Sequence, residues 1–301
     1  MHVVFLGTGG GGGLPQWNCN CLYCEQARAG QLPTRMEAAL AVSADDTAWV
    51  LLDTPPEIRA MFVRYPFLSP RGAVRGTPVQ AVVLTHGDVN HCGGLLNFRG
   101  PISDPRAYVS VYATPWVRSL ITQNPMFEAV KARWRDLVPG TWVPLLGPTD
   151  EDTGLLVRAV PVPGKPPTYR WEDHPEATVA VQVRERTTGA TLLYAPIVRE
   201  TTPDLEQVAE ESDVLIFDGT FWSDDELTAI DPYGRSAYSI GHIPVETSLA
   251  WMTRRRASLR VYTHVNNTNP LNDPASDPAR RVQAAGIRVA QDGWAIRIPE
   301  G

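Results

Sequence analysis

Three of the four cysteines in this chain, Cys19, Cys21 and Cys24, lie within a span of six residues. Thiols this close cannot all pair with one another as disulfides, whereas three sulfur ligands on a short loop suit one Zn²⁺ ion in tetrahedral coordination. They follow the glycines 9–13, so a first strand is expected to end in a flexible loop that carries the sulfurs. The alternative is three unpaired thiols, but Cys-x-Cys-x-x-Cys is a spacing typical of metal sites. We therefore predict a closed, structural zinc site whose fourth ligand comes from a distant segment.

The length and charge of the chain limit its class. With 301 residues, 43% of them hydrophobic, it can bury the core of one large domain. A formal charge of −6 without a basic stripe argues against a nucleic-acid partner. No apolar run is long enough to span a bilayer, and no cleavable signal pattern opens the chain, so neither a membrane partner nor secretion is expected. We predict a cytoplasmic location, where reduced cysteines favour metal binding.

Short apolar runs separated by polar residues, glycine or proline predict strands in both halves of the chain. These runs are 3–6, 39–43, 49–52, 81–84, 108–112, 155–160, 178–183, 191–194, 214–217, 259–262 and 294–298. Helices are expected at 56–65, 115–124, 203–211, 245–253 and 278–285. A Thr-Thr-Gly-Ala segment at 187–190 is a hairpin signal. Strands followed by helices in both halves predict an α+β sandwich of two sheets with helices on the outside.

Polar residues follow several of these strands directly. His86, Asp88 and His91 come after the strand that ends at 84, Asp218 after the strand that ends at 217, and His264 after the strand that ends at 262. A turn after a buried strand is a place where a rigid scaffold can hold the ligands of a site. Three of the six histidines fall in such places, and a fourth, His242, is expected to open a helix, which favours a shared site over unrelated polar loop residues.

The segment Thr-His-Gly-Asp-Val-Asn-His at 85–91 is similar to the Thr-His-x-His-x-Asp-His signature of the metallo-β-lactamase superfamily. More closely, the chain resembles the pyrroloquinoline quinone (PQQ) biosynthesis protein B family. Segments 9–24, 217–226, 241–244 and 264–273 carry this resemblance, together with Gln-Asp-Gly at 291–293. Trp-Asn-Cys-Asn-Cys and His-Val-Asn-Asn-Thr-Asn-Pro are long and specific parts of it. The resemblance implies one metallo-β-lactamase-fold domain over residues 1–301, an αββα sandwich of two mixed sheets.

The chain departs from the two-metal members of that superfamily. They use a histidine after the strand at 155–160 and a bridging aspartate near the start of the next unit. The corresponding places here are Gly164 and Pro196, which offer no ligating side chain. Two cations without a shared carboxylate would repel each other strongly. A mononuclear site is therefore expected, with ligands drawn from His91, His264, Asp88 and His86.

Two asparagines occupy positions where the resemblance leads one to expect a stronger ligand. Asn90 stands where the family more often has an aspartate, so a neutral amide replaces a carboxylate. Related superfamily members close the cysteine site with a histidine three residues after the last metal-binding histidine. That place is Asn267 here, so Asn267 or a water molecule is expected as the fourth zinc ligand.

The resemblance implies an iron- and O₂-dependent hydroxylase that acts on the tyrosine ring of a cross-linked Glu–Tyr precursor of PQQ. Two histidines, one carboxylate and open positions are also a ligand set that suits non-haem Fe²⁺. Two alternatives stay open: a mononuclear zinc hydrolase acting on an ester, amide or phosphodiester, and a non-catalytic carrier of PQQ or its precursor. The cofactors expected are a structural Zn²⁺ and an active-site Fe²⁺, with Zn²⁺ in its place if the protein is a hydrolase.

Residues near the expected metal are candidates for the chemistry. His242, which we expect to open a helix, and Asp218 are the catalytic candidates. Substrate contacts are expected from aromatic, polar and guanidinium groups, which are Trp222, Thr220, Asp224, Arg235 and Arg99. The alternatives are core packing for Trp222 and a helix cap for His242. The expected partner is a small-molecule or short peptide-derived substrate, and a homodimer is compatible with the sequence.

Overall fold

The computed structural model describes residues 1–72, 74–100, 108–170 and 172–299. Within these ranges the strands, in chain order, are β1 (His2–Gly7), β2 (Ala39–Ser43), β3 (Trp49–Leu52), β4 (Val79–Val83), β5 (Val109–Ala113), β6 (Ala132–Asp136), β7 (Val143–Leu146), β8 (Asp152–Pro161), β9 (Val179–Glu185), β10 (Thr191–Ala195), β11 (Val214–Asp218), β12 (Leu259–Thr263), β13 (Arg288–Val289) and β14 (Ala295–Arg297). They form two seven-stranded sheets, ordered β14-β1-β2-β3-β4-β5-β6 and β13-β12-β11-β10-β9-β8-β7. Both sheets are mixed, because each combines parallel and antiparallel neighbours.

Helices cover the outer face of each sheet. They are α1 (Leu22–Arg28), α2 (Ile58–Arg64), α3 (Val89–Cys92), α4 (Pro115–Thr122), α5 (Pro203–Glu210), α6 (Val245–Thr253) and α7 (Asp277–Ala284). Apolar residues of α2 and α4 pack on the first sheet, and those of α5, α6 and α7 pack on the second. The predicted α+β sandwich with helices outside is confirmed.

The alternation of side chains along β1 shows how the layers form. Val3 and Phe5 point into the core between the two sheets, whereas Val4 and Leu6 point toward the helices of the first sheet. Successive residues of a strand face opposite sides of its sheet, so a strand buried on both faces needs apolar residues at every position. This is why the central strands are continuous apolar runs.

The ends of the parallel strands define the edge at which the candidate site lies. In the first sheet β3 and β4 are parallel, and in the second β10, β11 and β12 are parallel. Isolated bridges join this edge across the sandwich, from Gly9 to Val265 and from His86 to Thr178. His264 follows β12 directly with a φ of 59°, a left-handed conformation that is uncommon for residues other than glycine.

The structure differs from the expected elements in two short helices, α1 and α3, and in strands at sheet edges. Cys24, expected on a loop, lies in α1, and Cys21 is the N-cap of that helix. β6, β7 and β13 were not expected, and each has few fully buried residues because it lies at or next to an open edge. The expected hairpin between β9 and β10 is confirmed. The expectation that His242 opens a helix is wrong, because α6 begins three residues later with Pro244 as its N-cap. No helix in the described part of the chain is both long and apolar enough to cross a membrane.

Candidate metal centres

His91 lies in the short helix α3, where one of its ring nitrogens is oriented by a carboxylate. Its Nδ1–H donates to Asp53 Oδ2 across 2.9 Å, and the same carboxylate accepts from the backbone N–H and the hydroxyl of Thr85. His91 Nε2 is buried and has no hydrogen-bond partner in the described structure. A histidine whose Nδ1 is held by a carboxylate presents the Nε2 lone pair, which is the arrangement typical of metal-ligating histidines.

His264 and His242 are oriented through a shared group of hydrogen bonds around Thr220. The Thr220 hydroxyl donates to Asp218 Oδ1 at 2.6 Å, so it can accept from His264 Nδ1 at 2.8 Å. His242 Nδ1 donates to Asp218 Oδ2 at 2.7 Å. Asp218 also accepts from the backbone of Val198, which fixes its carboxylate at the end of β11. As with His91, both imidazoles are therefore anchored at Nδ1.

The three anchored imidazoles lie side by side. The ring centroids of His91 and His264 are 5.3 Å apart with 20° between the planes, and those of His264 and His242 are 5.4 Å apart with 23°. Asp218, His242 and His264 offer donor atoms that all lie within 4.8 Å of one another. Because the Asp218 carboxylate already accepts from His242, Thr220 and Val198, the imidazole nitrogens opposite the anchored ones are the donors left for one transition-metal ion.

The surroundings of His264 keep its imidazole neutral, which is the form that binds metals. Burial and the neighbouring imidazoles of His91 and His242 lower the pKa of His264 well below its usual value. A histidine must be neutral to ligate, so a depressed pKa removes the competition from protons near pH 7. Asn90 Nδ2 lies 3.3 Å from His264 Nε2, so the amide adjoins the nitrogen that His264 would offer to a metal, and a ligand role for Asn90 stays a prediction.

His86 and Asp88 lie next to this group but are held by other partners. His86 Nε2 donates to the backbone oxygen of Lys165 at 2.8 Å, and Asp88 Oδ2 lies 3.1 Å from Lys165 Nζ. Asp88 Oδ1 accepts from the Thr168 hydroxyl at 2.7 Å. Burial and His91 lower the pKa of His86 to about 3. Burial would raise the pKa of Asp88, but Lys165 and Thr168 outweigh it and lower the pKa to about 2.

The four expected ligands are thus divided into two pairs. His91 and His264 adjoin each other, and His91 Nε2 has no partner in the described structure, while His86 and Asp88 are hydrogen-bonded within the protein. The role of His86 and Asp88 as metal ligands stays a prediction. A histidine at position 164 would not fit, because a Cβ on Gly164 would lie 2.6 Å from the Thr178 hydroxyl oxygen.

The cysteine cluster forms a second candidate metal centre. The sulfurs of Cys19, Cys21 and Cys24 lie within 4.8 Å of one another. Asn267 Nδ2 approaches all three, at 3.1 Å from Cys19, 3.6 Å from Cys21 and 3.4 Å from Cys24. The Asn267 amide nitrogen therefore donates hydrogen bonds to all three sulfurs, and its role as the fourth zinc ligand stays a prediction, because an amide ligates through its oxygen. The isolated bridge between Gly9 and Val265 brings these two distant segments together.

The thiols differ in acidity. Burial raises the pKa of Cys24 to about 11. Burial also acts on Cys21, but hydrogen bonds from the Cys24 backbone, from Cys19 and Cys24, and from Asn267 outweigh it and lower the pKa of Cys21. Thiolates are the form that binds zinc, so a metal ion bound here would release protons from the cluster.

A cavity of about 750 Å³ connects the two centres. His242, His264 and Asn90 line one end, and Cys19, Cys21 and Asn267 line the other. Apolar side chains between them form part of its wall, which are Ile197, Phe221, Leu227, Ile230 and Ile240. This volume is typical of pockets for small molecules.

Of the residues predicted to contact the substrate, some line the cavity and others do not. Thr220 lines it, whereas Trp222, Asp224 and Arg235 are not part of its lining. The Trp222 ring instead lies under the Arg281 guanidinium, 4.9 Å from ring centroid to carbon. Asp224 accepts from the backbone N–H of Tyr238. Arg99 lines a separate cavity beside Phe62, so its position does not bring it to the histidines.

Two residues of the site were not expected from the sequence. Asp53 orients His91, and Lys165 lines the cavity and pairs with Asp88. Asp53 directly follows β3, so the pattern of a polar residue after a buried strand was present and was overlooked. Lys165 lies in a Pro/Gly-rich loop, where no periodic pattern indicates its direction.

Comparisons with known proteins support a common origin over the whole chain. A family model for the "Beta-lactamase superfamily domain" matches residues 48–265. The coenzyme PQQ synthesis protein B of Methylobacterium nodulans is 36% identical over 310 residues, which cover 99% of this chain and 100% of that protein. The protein of the same name from Methylorubrum extorquens strain AM1 is 35% identical over 307 residues, with 99% and 100% covered.

Solved structures agree with this similarity. The crystal structure of Zn²⁺-bound PqqB from Methylobacterium extorquens has a TM-score of 0.90 at 32% identity, over 99% of this chain and 100% of that one. A diphosphatase from the PhnP family has a TM-score of 0.71 at 20% identity, over 99% and 98% of the two chains. The second similarity concerns the fold alone.

Proposed function

Since this chain belongs to the coenzyme PQQ synthesis protein B family of the β-lactamase superfamily, we propose that it hydroxylates a tyrosine-derived precursor of PQQ with O₂. The substrate in this proposal is a cross-linked Glu–Tyr adduct that carries carboxylates, and its ring gains hydroxyl groups. The observation that carries the proposal is the row of anchored imidazoles, His91, His264 and His242, beside a cavity large enough for such an adduct.

The residues present fit a single active-site metal. His91 Nε2 is a buried nitrogen without a partner in the described structure, and the imidazole of His264 lies beside it, with 5.3 Å between the ring centroids. Imidazole and carboxylate ligands suit iron and also zinc. An iron ion held there would supply the dioxygen activation that ring hydroxylation requires.

Protein side chains would bind the substrate and move protons. His242 lines the cavity with Nδ1 held by Asp218, so its Nε2 can exchange a proton with a phenol oxygen. The Asp218 carboxylate fixes the tautomer and stabilises the imidazolium that forms. Apolar residues such as Phe221 and Ile240 would enclose an aromatic ring and exclude water from it.

A zinc hydrolase is the second candidate, because a relative of 32% identity and nearly identical fold was solved with Zn²⁺ bound. The ligand positions count against it. Gly164 and Pro196 replace a histidine and a bridging carboxylate, and two-metal hydrolysis depends on that bridge to stabilise attacking and leaving oxygens. In the third candidate function, a non-catalytic carrier, the cavity would bind PQQ or its precursor without converting it.

The test is to load the protein anaerobically with Fe²⁺, add the Glu–Tyr adduct and then admit O₂. Mass spectrometry should detect no product before O₂ enters and a product with added oxygen afterwards. The matched control is the same protein loaded with Zn²⁺, which should remain inert. Conversion without O₂, or ester hydrolysis by the zinc form, would favour the hydrolase, and tight PQQ binding without turnover would favour the carrier.

A further inference from the structure

Lys165 introduces a fixed positive charge beside the histidines. It lies in the loop between β8 and β9, and its Nζ is 3.1 Å from Asp88 Oδ2. Its backbone oxygen accepts from His86 Nε2 at 2.8 Å, so both ends of the residue are tied to the turn that carries His91. The chain contains only two lysines, Lys131 and Lys165.

The Lys165 ammonium neutralises the charge of Asp88 and still has hydrogen-bond donors for a second partner. Asp88 also accepts from the Thr168 hydroxyl and from the backbone N–H of Val89, so it needs only one hydrogen bond from Lys165. An ammonium has three donors. The Lys165 side chain is 24% exposed. It lines the cavity that contains His242 and His264 and also a second cavity beside His174, so its remaining donors are available to a ligand.

No other lysine or arginine lies close enough to bind an anion within the described lining of the cavity. Of the described residues that form its wall, Lys165 is the one lysine or arginine. The carboxylate of Asp231 lies at the exposed part of the wall. Among its described side chains the cavity therefore combines an apolar wall with one cationic group, Lys165, at its histidine end.

We propose that Lys165 binds a carboxylate of the ligand in this cavity, with Asp88 holding the ammonium in position. This inference deepens the proposed function and rests on it for the identity of the natural ligand. It makes Lys165 a specificity-determining residue that orients an acidic aromatic compound with its ring toward the imidazoles. Charge-assisted hydrogen bonds to a carboxylate are among the strong contacts available to a partly buried lysine.

The experiment compares charged and uncharged versions of two ligands by titration calorimetry on the metal-loaded protein. One pair is PQQ and its trimethyl ester, and the other is benzene-1,3,5-tricarboxylate and its uncharged triamide. The wild type should bind each carboxylate form roughly tenfold more tightly than its neutral analogue. Lys165→Met should lose this preference, and Lys131→Met is the matched control that should keep it.

Removal of Lys165 leaves Asp88 buried without its cation, so the double variant Lys165→Met/Asp88→Asn removes both charges and protects the fold. It should unfold near the wild-type temperature and show no preference for the charged ligands. If Lys165→Met and the double variant retain the preference, or if the wild type binds neither charged ligand more tightly than its analogue, the proposal is overturned. A Lys165-dependent preference for the benzene compound alone supports Lys165 as the anion-binding residue and counts against the proposed function.

Discussion

The Nδ1–H of His91 donates to the carboxylate of Asp53 across 2.9 Å, and both side chains are fully buried. Asp53 directly follows β3, whereas His91 lies in α3, so the contact joins the ends of two neighbouring strands of the first sheet. The bond fixes the tautomer of His91 and directs its Nε2 lone pair away from Asp53.

Asp53→Asn should weaken active-site metal binding about 10–100-fold, because an amide orients the imidazole and raises its basicity less than a carboxylate does. The measurement is metal affinity by competition with a chelator of known affinity. Asp53 also accepts from Thr85, so the unfolding temperature is measured alongside. Unchanged metal affinity in a folded variant would contradict an orienting role.

His91→Ala and His264→Ala should each abolish binding of the active-site metal and leave the cysteine zinc in place. Each variant removes an imidazole whose Nδ1 is already anchored. Elemental analysis of purified protein counts both metals. His174→Ala is the control, since this ring stacks on Trp116 away from the cluster. Wild-type metal content in both site variants would show that the imidazoles are not ligands.

Asp218→Asn should reduce turnover about 10²–10⁴-fold, since the amide no longer fixes the proton of His242 on Nδ1. Steady-state rates and their pH profile are the measurement. Because Asp218 also belongs to the group of potential metal ligands, metal content decides the interpretation. Full metal occupancy with reduced turnover supports a proton-transfer role, whereas full activity argues against the Asp218–His242 pair.

Cys21→Ser should lose about one zinc per chain and lower the unfolding temperature by roughly 5–10 °C, because structural zinc binding contributes directly to folding. Calorimetry and elemental analysis test this together. Cys92→Ser serves as the control, because Cys92 is buried and its thiol donates to the backbone oxygen of Gly87. A Cys21 variant that keeps its zinc and its unfolding temperature would refute the zinc assignment.

Glu226 should make stability depend on pH. Its carboxyl accepts from the backbone of Trp222 and from Thr268, and burial raises its pKa from 4.5 to about 7. Between pH 4.5 and 7 the folded state then binds more protons than the unfolded state. The stabilisation that protonated Glu226 contributes to the folded state is therefore complete below pH 4.5 and is lost as pH rises through 7.

Glu226→Gln should remove this pH dependence. The free energy of unfolding of the wild type should fall relative to the variant by up to about 3 kcal/mol between pH 4.5 and 7, and then level off. Denaturant unfolding at several pH values measures the difference. Parallel curves for the two proteins across this range would contradict the raised pKa.

Local patterns in the sequence predicted much of the fold. Central strands such as β1 and β11 are short apolar runs because both of their faces are buried, and their boundaries were predicted within a few residues. Edge strands such as β6 were not expected, because their partly exposed residues are mixed in polarity. The family and the αββα fold implied by the motifs are confirmed by the relatives and by the sheet order.

The sequence predicted which residues belong to the candidate site better than it predicted which of them are in contact. His264 was expected beside His91 at one edge of a single sheet, because each follows a strand; the two residues do adjoin, but His91 follows β4 of the first sheet and His264 follows β12 of the second, so their contact depends on how the two sheets pack. The positions of Trp222 and Arg99 relative to the histidines could not be predicted. They depend on how surface segments fold back over the sandwich, which no local periodicity encodes.

The sequence by itself determined the layers, the cysteine cluster and the histidines at strand ends, because strand alternation and ligand spacing are properties of neighbouring residues. Only the tertiary structure decided which nitrogen of each histidine is anchored, that Asn267 lies over the three sulfurs, and that Lys165 neutralises Asp88. These contacts join residues far apart in the chain. Their distances and directions are set by the packing of the two sheets against each other and by the loops that connect them.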